Sequence, residues 1–281
     1  HEQFMTETAS LADVILPATM FLEHDDLYQG GGHQHIMLGQ KLVDVPGDCR
    51  SNHEVISELG QRLGVFHDEF DVDEADFLRR TLQDSERPSL DKFLEDPWLD
   101  CQPDFEQSHY LKGFSFEDGK FRFSVDWKAL LPKGYISNEL LDNMPQLPDH
   151  WSVLESTGSN TGFCLVTAPA RHFLNSSFTE TRTSRRLEGR PCVLIHSLDA
   201  AKLNIEDGSV CEIGNNRGQV IIHAKLFDGL KRGVLVVESL WPNKSYIGGV
   251  GVNSLTGSDP VAPVGGVAFH DNAVWIKPHE R

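Results

Sequence analysis

Between Arg190 and Leu226 short apolar runs alternate with turn signals, and a chain spaced this way has little choice but compact β structure. Cys192 to His196 reads as a short strand. Ser197 can cap a helical turn over Leu198 to Leu203, with Asn204 suited to a left-handed exit. Glu206-Asp207-Gly208 is a turn, and Ser209 to Ile213 is the next strand. Asn215-Asn216-Arg217-Gly218 is a hairpin loop that returns the chain along Gln219 to Leu226. Val234 to Val237 adds a further buried strand.

Upstream, the strand Cys164-Leu165-Val166 runs toward Pro169, where the backbone must leave its sheet. Arg171, His172, Asn175 and Ser176 then crowd donors and acceptors onto a loop. Arg171, Arg182, Arg185, Arg186 and Arg190 fall within twenty residues. A guanidinium is a planar fork of donors that matches phosphate, and several together favour a di-anion; the plain alternative is a solvated basic loop. Charge separates the two halves. Residues up to Ser159 hold 12 basic and 31 acidic side chains, whereas Asn160 onward holds 13 and 11. An anionic ligand therefore belongs to the second half, and the acidic body argues against nucleic acid as a partner.

The first half mixes helix and strand. Val14-Ile15-Leu16 reads as a short buried strand stopped by Pro17. Thr6, Thr8 and Asp13 before it are candidate ligand contacts or helix caps. Gly30-Gly31-Gly32 is a pliable loop, and His24, His33 and His35 around it fit no metal-binding geometry. Ile36 to Val43 alternates into a strand that Pro46-Gly47 turns. Ser51 and Glu54 form a capping box for a helix ending at Gly64, with Val55, Ile56, Leu59 and Leu63 on one face. A second helix starts at Asp71 and carries Ala75, Leu78 and Leu82. Glu86 to Leu111 reads as irregular surface chain. Gly113 to Phe123 reads as a hairpin around Asp118-Gly119, with Phe114, Phe116, Phe121 and Phe123 as core. Pro132, Pro145 and Pro148 mark Leu130 to Asn160 as a linker, which sets a boundary near Ser159. The five cysteines contain no Cys-x-x-Cys and no disulfide framework, which suits a reducing, cytoplasmic compartment. No apolar run is long enough to span a membrane and no signal peptide opens the chain; His1 points to a piece of a longer protein.

Four stretches taken in order resemble one family. These are Gly189 to Ala201, Ile205 to Val210 with Asn216-Arg217-Gly218, Val252 to Thr256, and Ala268 to Val274. They are similar to the C-terminal domain of molybdopterin oxidoreductases of the dimethyl-sulfoxide-reductase family. Thr6 to Pro17 resembles the family's Thr-x-Thr-Ala-x-x-Ala-Asp-Val-x-Leu-Pro segment, and Arg50 to Glu54 its Arg-Ser-x-x-Glu. The segment after Glu23 lacks the Asn and Arg usual in the family, which leaves that loop's role open.

The resemblance implies an α/β N-terminal portion, the end of a Rossmann-like domain, over residues 1–159. An all-β double-psi β-barrel binding molybdopterin dinucleotide would follow over 160–281. It implies an oxidoreductase that holds molybdenum on molybdopterin guanine dinucleotide and catalyses oxygen-atom or electron transfer. Arg171, His172, Asn175, Ser176, Asn253, Phe269, His270, Thr6 and Thr8 are the cofactor contacts it implies, Asn253 foremost, as a buried amide matched to a pterin edge. It implies no catalytic residue and no metal ligand in this stretch. The resemblance also allows an iron–sulfur cluster, in the part of the longer protein that precedes this chain, and an electron-transfer protein as partner. The alternative is the molybdenum-free scaffold domain found in the iron–sulfur subunit of respiratory NADH dehydrogenases.

Overall fold

The computed structural model describes residues 1–130, 137–149, 155, 162–175, 177–238, 240–261, 265–270 and 272–280. The chain divides into two compact units, His1–Phe121 and Arg122–Arg281.

The first unit is built on an antiparallel sheet of β1 (Asp26–Gln29), β2 (His35–Gly39) and β3 (Trp98–Asp100). Three helices accompany it, α1 (Asn52–Arg62), α2 (Glu74–Asp84) and α3 (Leu90–Glu95), and α4 (Phe105–Ser108) adds one turn. Leu38, Leu78, Leu82, Leu90 and Phe93 form the core. Ser51 caps α1 as its sequence dictates: Glu54 N–H bonds the Ser51 hydroxyl while the Glu54 carboxylate takes the Ser51 N–H. The stretch 86–111 is more ordered than expected, because α3 sets Leu90 and Phe93 into the core and β3 completes the sheet.

Three sequence expectations fail in this unit. Val14-Ile15-Leu16 is not a buried strand; Val14 is 74% exposed, and the neighbouring pairings are single bridges, Glu2 with Pro17 and Ala18 with Arg50. Among the described residues these apolar side chains have no strand to pair with. On α1, Val55 is buried but Ile56, Leu59 and Leu63 are exposed. The helix turns its small side inward instead. A Cβ on Gly60 would fall 2.6 Å from the Phe70 ring, and His53 stacks on Phe77 at 4.9 Å. Gly113 to Phe121 closes one turn, with Phe114 N–H bonded to Gly119 O at 2.8 Å, and forms no ladder. Phe116, Phe121 and Phe123 stay exposed. A two-stranded ribbon with no third strand or packing face is marginal in water.

The second unit opens with two helical turns, α5 (Trp127–Leu130) and α6 (Asn138–Asp142); Trp127 Nε1 donates to Pro145 O at 3.1 Å. The segment expected to be a linker thus carries structure, and the rest of it lies largely outside the described residues. A six-stranded closed barrel follows: β4 (Phe163–Ala168), β5 (Cys192–Ile195), β6 (Val210–Gly214), β7 (Gln219–Leu226), β8 (Val234–Glu238) and β11 (Asn272–Pro278), with the short pair β9 (Pro260–Val261) and β10 (Gly266–Val267) before β11. Around the ring the order is β11-β4-β8-β5-β7-β6. β4 runs parallel to β8 and β5 parallel to β7, and the remaining pairs are antiparallel.

Alternation drives the closure. On β7, Val220, Ile222 and Ala224 point inward, and on β8 Leu235 and Val237 do; all five are essentially inaccessible. Each fully buried aliphatic side chain of this kind stabilises the fold by about 1.5–3 kcal/mol. Two helices bracket β5: α7 (Arg182–Glu188) before it and α8 (Ser197–Lys202) after it. His196, one residue earlier than expected, caps α8 by accepting the Leu198 N–H, and Asn204 takes the left-handed exit at φ 56°.

Candidate functional site

Strand directions decide where the sequence-selected polar residues meet. β4 and β8 run parallel, so the loops leaving Ala168 and Glu238 emerge at one end of the barrel. β11 begins at that end, where Asn272 lies opposite Leu165. The β6–β7 turn reaches it too, since Gly214 and Gln219 close their hairpin there. Packing fixes the loops: Phe173, 5% exposed, sets its ring edge-on to Trp241 at 4.7 Å and so ties the loop after β4 to the loop after β8.

Arg171, His172 and Asn175 lie on the loop after β4. The His172 N–H donates to Glu188 of α7 at 2.6 Å, which draws the arginine-bearing helix back onto the loop. Asn175 and Phe178 both hold left-handed backbone, at φ 51° and 69°, around the Leu174–Ser177 bridge. Such conformations cost about 1–3 kcal/mol each and collect where a loop is held for binding. Ser176 lies outside the described residues. Arg171, Arg182, Arg185, Arg186 and Arg190 are all exposed, and among the described residues none forms an ion pair; three of them ride on α7, where a loop was expected.

Asn253 sits in a 3-10 turn, Val252–Leu255, and is exposed; its expected burial is not observed. Among the described residues nothing bonds its side-chain amide, while its carbonyl accepts the Thr256 N–H at 3.2 Å. Phe269 and His270 precede β11, with rings 4.5 Å apart and both exposed. Thr167 on β4 holds them, donating to Phe269 O at 3.3 Å and lying 3.2 Å from His270 Nδ1. Three separate stretches therefore bring Arg171, His172, Asn175, Asn253, Phe269 and His270 to one barrel end. Thr6 and Thr8 belong to the first unit. Thr6 Oγ1 accepts the Ala9 N–H at 3.2 Å and so caps a 3-10 turn, and Thr8 is exposed without a side-chain cap bond.

Sequence reading missed the polar frame beneath these residues. Arg217 Nε donates to Leu255 O at 3.0 Å, and its Nη2 reaches Asn272 Oδ1 at 3.2 Å and Glu155 at 2.6 Å. Asn215 Nδ2 bonds the same Leu255 O at 2.8 Å, and Asn272 Nδ2 bonds Phe269 O at 3.1 Å. Asn216-Arg217-Gly218 was visible as a hairpin loop, but its partners are remote in sequence. Titration adds a negative result: burial pushes the Cys211 thiol up to about 11, so it is no nucleophile at neutral pH. Burial likewise drives the Tyr246 phenol up to about 12; its hydroxyl faces the Val252 N–H without a complete hydrogen bond.

Comparison with known proteins bears on the two units in turn. Residues 163–274 match the family model of a molydopterin dinucleotide binding domain, and residues 2–62 match that of a molybdopterin oxidoreductase. A probable oxidoreductase, YoaE, of Bacillus subtilis is 28% identical over 99% of this chain, which spans 39% of that protein. A dimethyl sulfoxide/trimethylamine N-oxide reductase of Rhodobacter capsulatus is 26% identical over 88% of the chain, which spans 32% of it. The structure of acetylene hydratase from Pelobacter acetylenicus superposes with a TM-score of 0.74 at 17% identity, covering 98% of this chain and 39% of that one, a likeness of fold. No helix among the described residues is long and apolar enough to cross a membrane. The two family models, matched in order and joined by reductase relatives, make this chain a member of the dimethyl-sulfoxide-reductase family of molybdopterin oxidoreductases.

Proposed function

We propose that the barrel end cradles a molybdopterin guanine dinucleotide, and that the chain is the C-terminal part of a bis(molybdopterin guanine dinucleotide) molybdenum oxidoreductase. The carrying observation is the donor set: Arg171, Asn253 and Phe269 are all exposed and stand on loops at the same end of the barrel. Guanidinium donors suit a diphosphate, a primary amide matches the donor–acceptor edge of a pterin or purine, and an aromatic face suits either ring. That set fits a dinucleotide. In the same reading the barrel has double-psi topology and begins near residue 160. The first unit is the end of a Rossmann-like domain, a reading that the exposed Val14, Ile15 and Leu16 support.

When bound, the molybdenum–dithiolene group supplies the oxygen-atom or electron transfer. This chain's residues bind and orient: Arg171 neutralises phosphate charge, Asn253 reads a ring edge and Phe269 covers a ring face. His172 and Asn175 add donors, Ser176 belongs to the same loop, and His270 is held by Thr167. None of them needs to move a proton. A molybdenum-free scaffold would have no use for a set of unpaired donors at one barrel end.

The test is Asn253→Leu in the enzyme that contains this chain. The side chains are close in volume and the site is exposed, so apo stability should hold. An unpaired buried cofactor group costs about 1–3 kcal/mol, up to about a hundredfold in affinity. The expected result is partial loss of molybdenum per polypeptide with an unchanged apo melting temperature. Full molybdenum content together with a large drop in apo stability would make Asn253 a turn residue and sink the reading.

A further inference from the structure

We infer that Arg217 is the positioning residue of the barrel end: its one guanidinium clamps the Asn253 turn to the Phe269–His270 segment. The inference rests on the site proposed above, and the clamp itself is visible without any ligand. Arg217 lies at the tip of the β6–β7 hairpin, an exposed position at which its side chain is partly shielded, 28% exposed. Its Nε–H donates to Leu255 O, the last residue of the turn that carries Asn253. Its Nη2 donates to Asn272 Oδ1, and the other end of that amide holds Phe269 O. The two segments are thus tied through a single planar group.

Two further features show that the guanidinium is itself held in place. Glu155 takes Nη2 through one oxygen and the Ala273 N–H through the other, at 2.9 Å. The carboxylate neutralises Arg217, so the arginine serves here as a brace and leaves phosphate binding to Arg171. Asn215 Oδ1 accepts the Arg217 N–H at 2.9 Å and fixes the backbone from which the side chain extends. Gly218 completes the fit: a Cβ there would lie 3.1 Å from Ser254 O, so the turn can settle directly on the hairpin. Together these contacts wall a small cleft of about 190 Å³ that His270 also lines. A lysine could satisfy one of these acceptors but not hold both in fixed register, because only the fork is rigid.

The test uses this chain and two readouts. Hydrogen exchange followed by mass spectrometry reads residues 251–257 and 267–273 in wild type, Arg217→Lys and Asn272→Ala. Arg217→Lys should speed exchange in both segments by about tenfold or more, the equivalent of about 1.4 kcal/mol of local opening. Asn272→Ala should speed it in 267–273 alone. Fluorescence titration with neopterin, a soluble pterin, then separates positioning from plain stability. Arg217→Lys should weaken neopterin about tenfold on wild type and not at all on an Asn253→Ala background, because the clamp acts through Asn253. Unchanged exchange in both segments overturns the clamp, and so does an equal loss of neopterin affinity on the two backgrounds. If wild type binds no neopterin, the pterin reading of the site fails, and the exchange data alone decide the clamp. Should Arg217→Lys not fold, Asn215→Ala removes both the second bond to Leu255 O and the acceptor that fixes the Arg217 backbone. It is expected to speed exchange in 251–257 most and in 267–273 less, and unchanged exchange in both segments overturns the clamp.

Discussion

Asp199 offers a sharp test of what holds the barrel's opposite end, because its two carboxylate oxygens do different jobs. It stands in the first turn of α8 with its side chain 9% exposed. Oδ1 takes Nε and Nη2 of Arg232, both at 2.5 Å, and Oδ2 takes the Gly233 N–H at 2.8 Å. Asp199→Ala removes charge-assisted bonds worth about 1.5–3 kcal/mol and strands the Gly233 donor, which adds about 1–3 more. Arg232 is 43% exposed and recovers water, so the sum is discounted to about 3 kcal/mol. Asp199→Asn keeps one acceptor oxygen but loses the charge and turns the other oxygen into an NH2 donor facing either Arg232 or the Gly233 N–H, and should cost about 1–3 kcal/mol.

The pH dependence follows from the same contacts. Burial raises the Asp199 pKa, but the Gly233 bond, the Arg232 bond and the charges of Arg232 and His196 outweigh it, so the carboxyl titrates below its ordinary value. A depressed folded-state pKa means the stabilisation is fully present above the unfolded value of about 3.9 and fades as pH falls through the folded one. Urea denaturation of wild type and both variants at neutral pH and near pH 2.5 checks it. The gap between wild type and Asp199→Asn should shrink at acid pH. Glu212 is held low by Lys277 and His279 and titrates in the same window, but it is common to all three proteins. A gap unchanged with pH, or an alanine cost under about 0.5 kcal/mol, would refute the reasoning.

Phe173→Ala should destabilise the second unit by about 3–5 kcal/mol and free the Arg171-bearing loop, with Phe173→Leu recovering more than half; calorimetry and proteolysis of residues 169–181 read the two effects. Asn204 holds φ 56°, so Asn204→Ala should cost about 1–2 kcal/mol and Asn204→Gly under about 0.5, measured by thermal melts.

The strands of the barrel were legible because each carries its own alternation and is bounded by its own turn residues. Cys192–Ile195, Val210–Gly214 and Gln219–Leu226 stand close to where the pattern put them. Asn204 was legible for the same local reason. What failed was everything that depends on a remote partner. Val14-Ile15-Leu16 has the composition of a buried strand, but burial needs a neighbour that the residues themselves do not specify. The four phenylalanines of 113–123 alternate like a hairpin, yet a two-stranded ribbon is marginal in water, and Phe114 packs its ring on Tyr110 and Phe121 around a single turn instead. For the proposed site, Arg171 and Asn253 were named by residue type and resemblance, and the expected burial of Asn253 is not observed. Arg217 could not be placed, because its bonds run to Leu255, Asn272 and Glu155 across the closed ring.

The same ring has a kinetic side. β11 is seated between β4 and β6, with Asn272 opposite Leu165 at one edge and Lys277 opposite Glu212 at the other. Until that segment arrives, β4 and β6 each present an unpaired edge, a ready template for intermolecular pairing. Closure therefore waits for a contact between distant parts of the chain, the kind that makes folding slow. A ribosome stalled before Asn272, or a protease that clips ahead of it, would release an aggregation-prone open sheet in place of a shortened barrel.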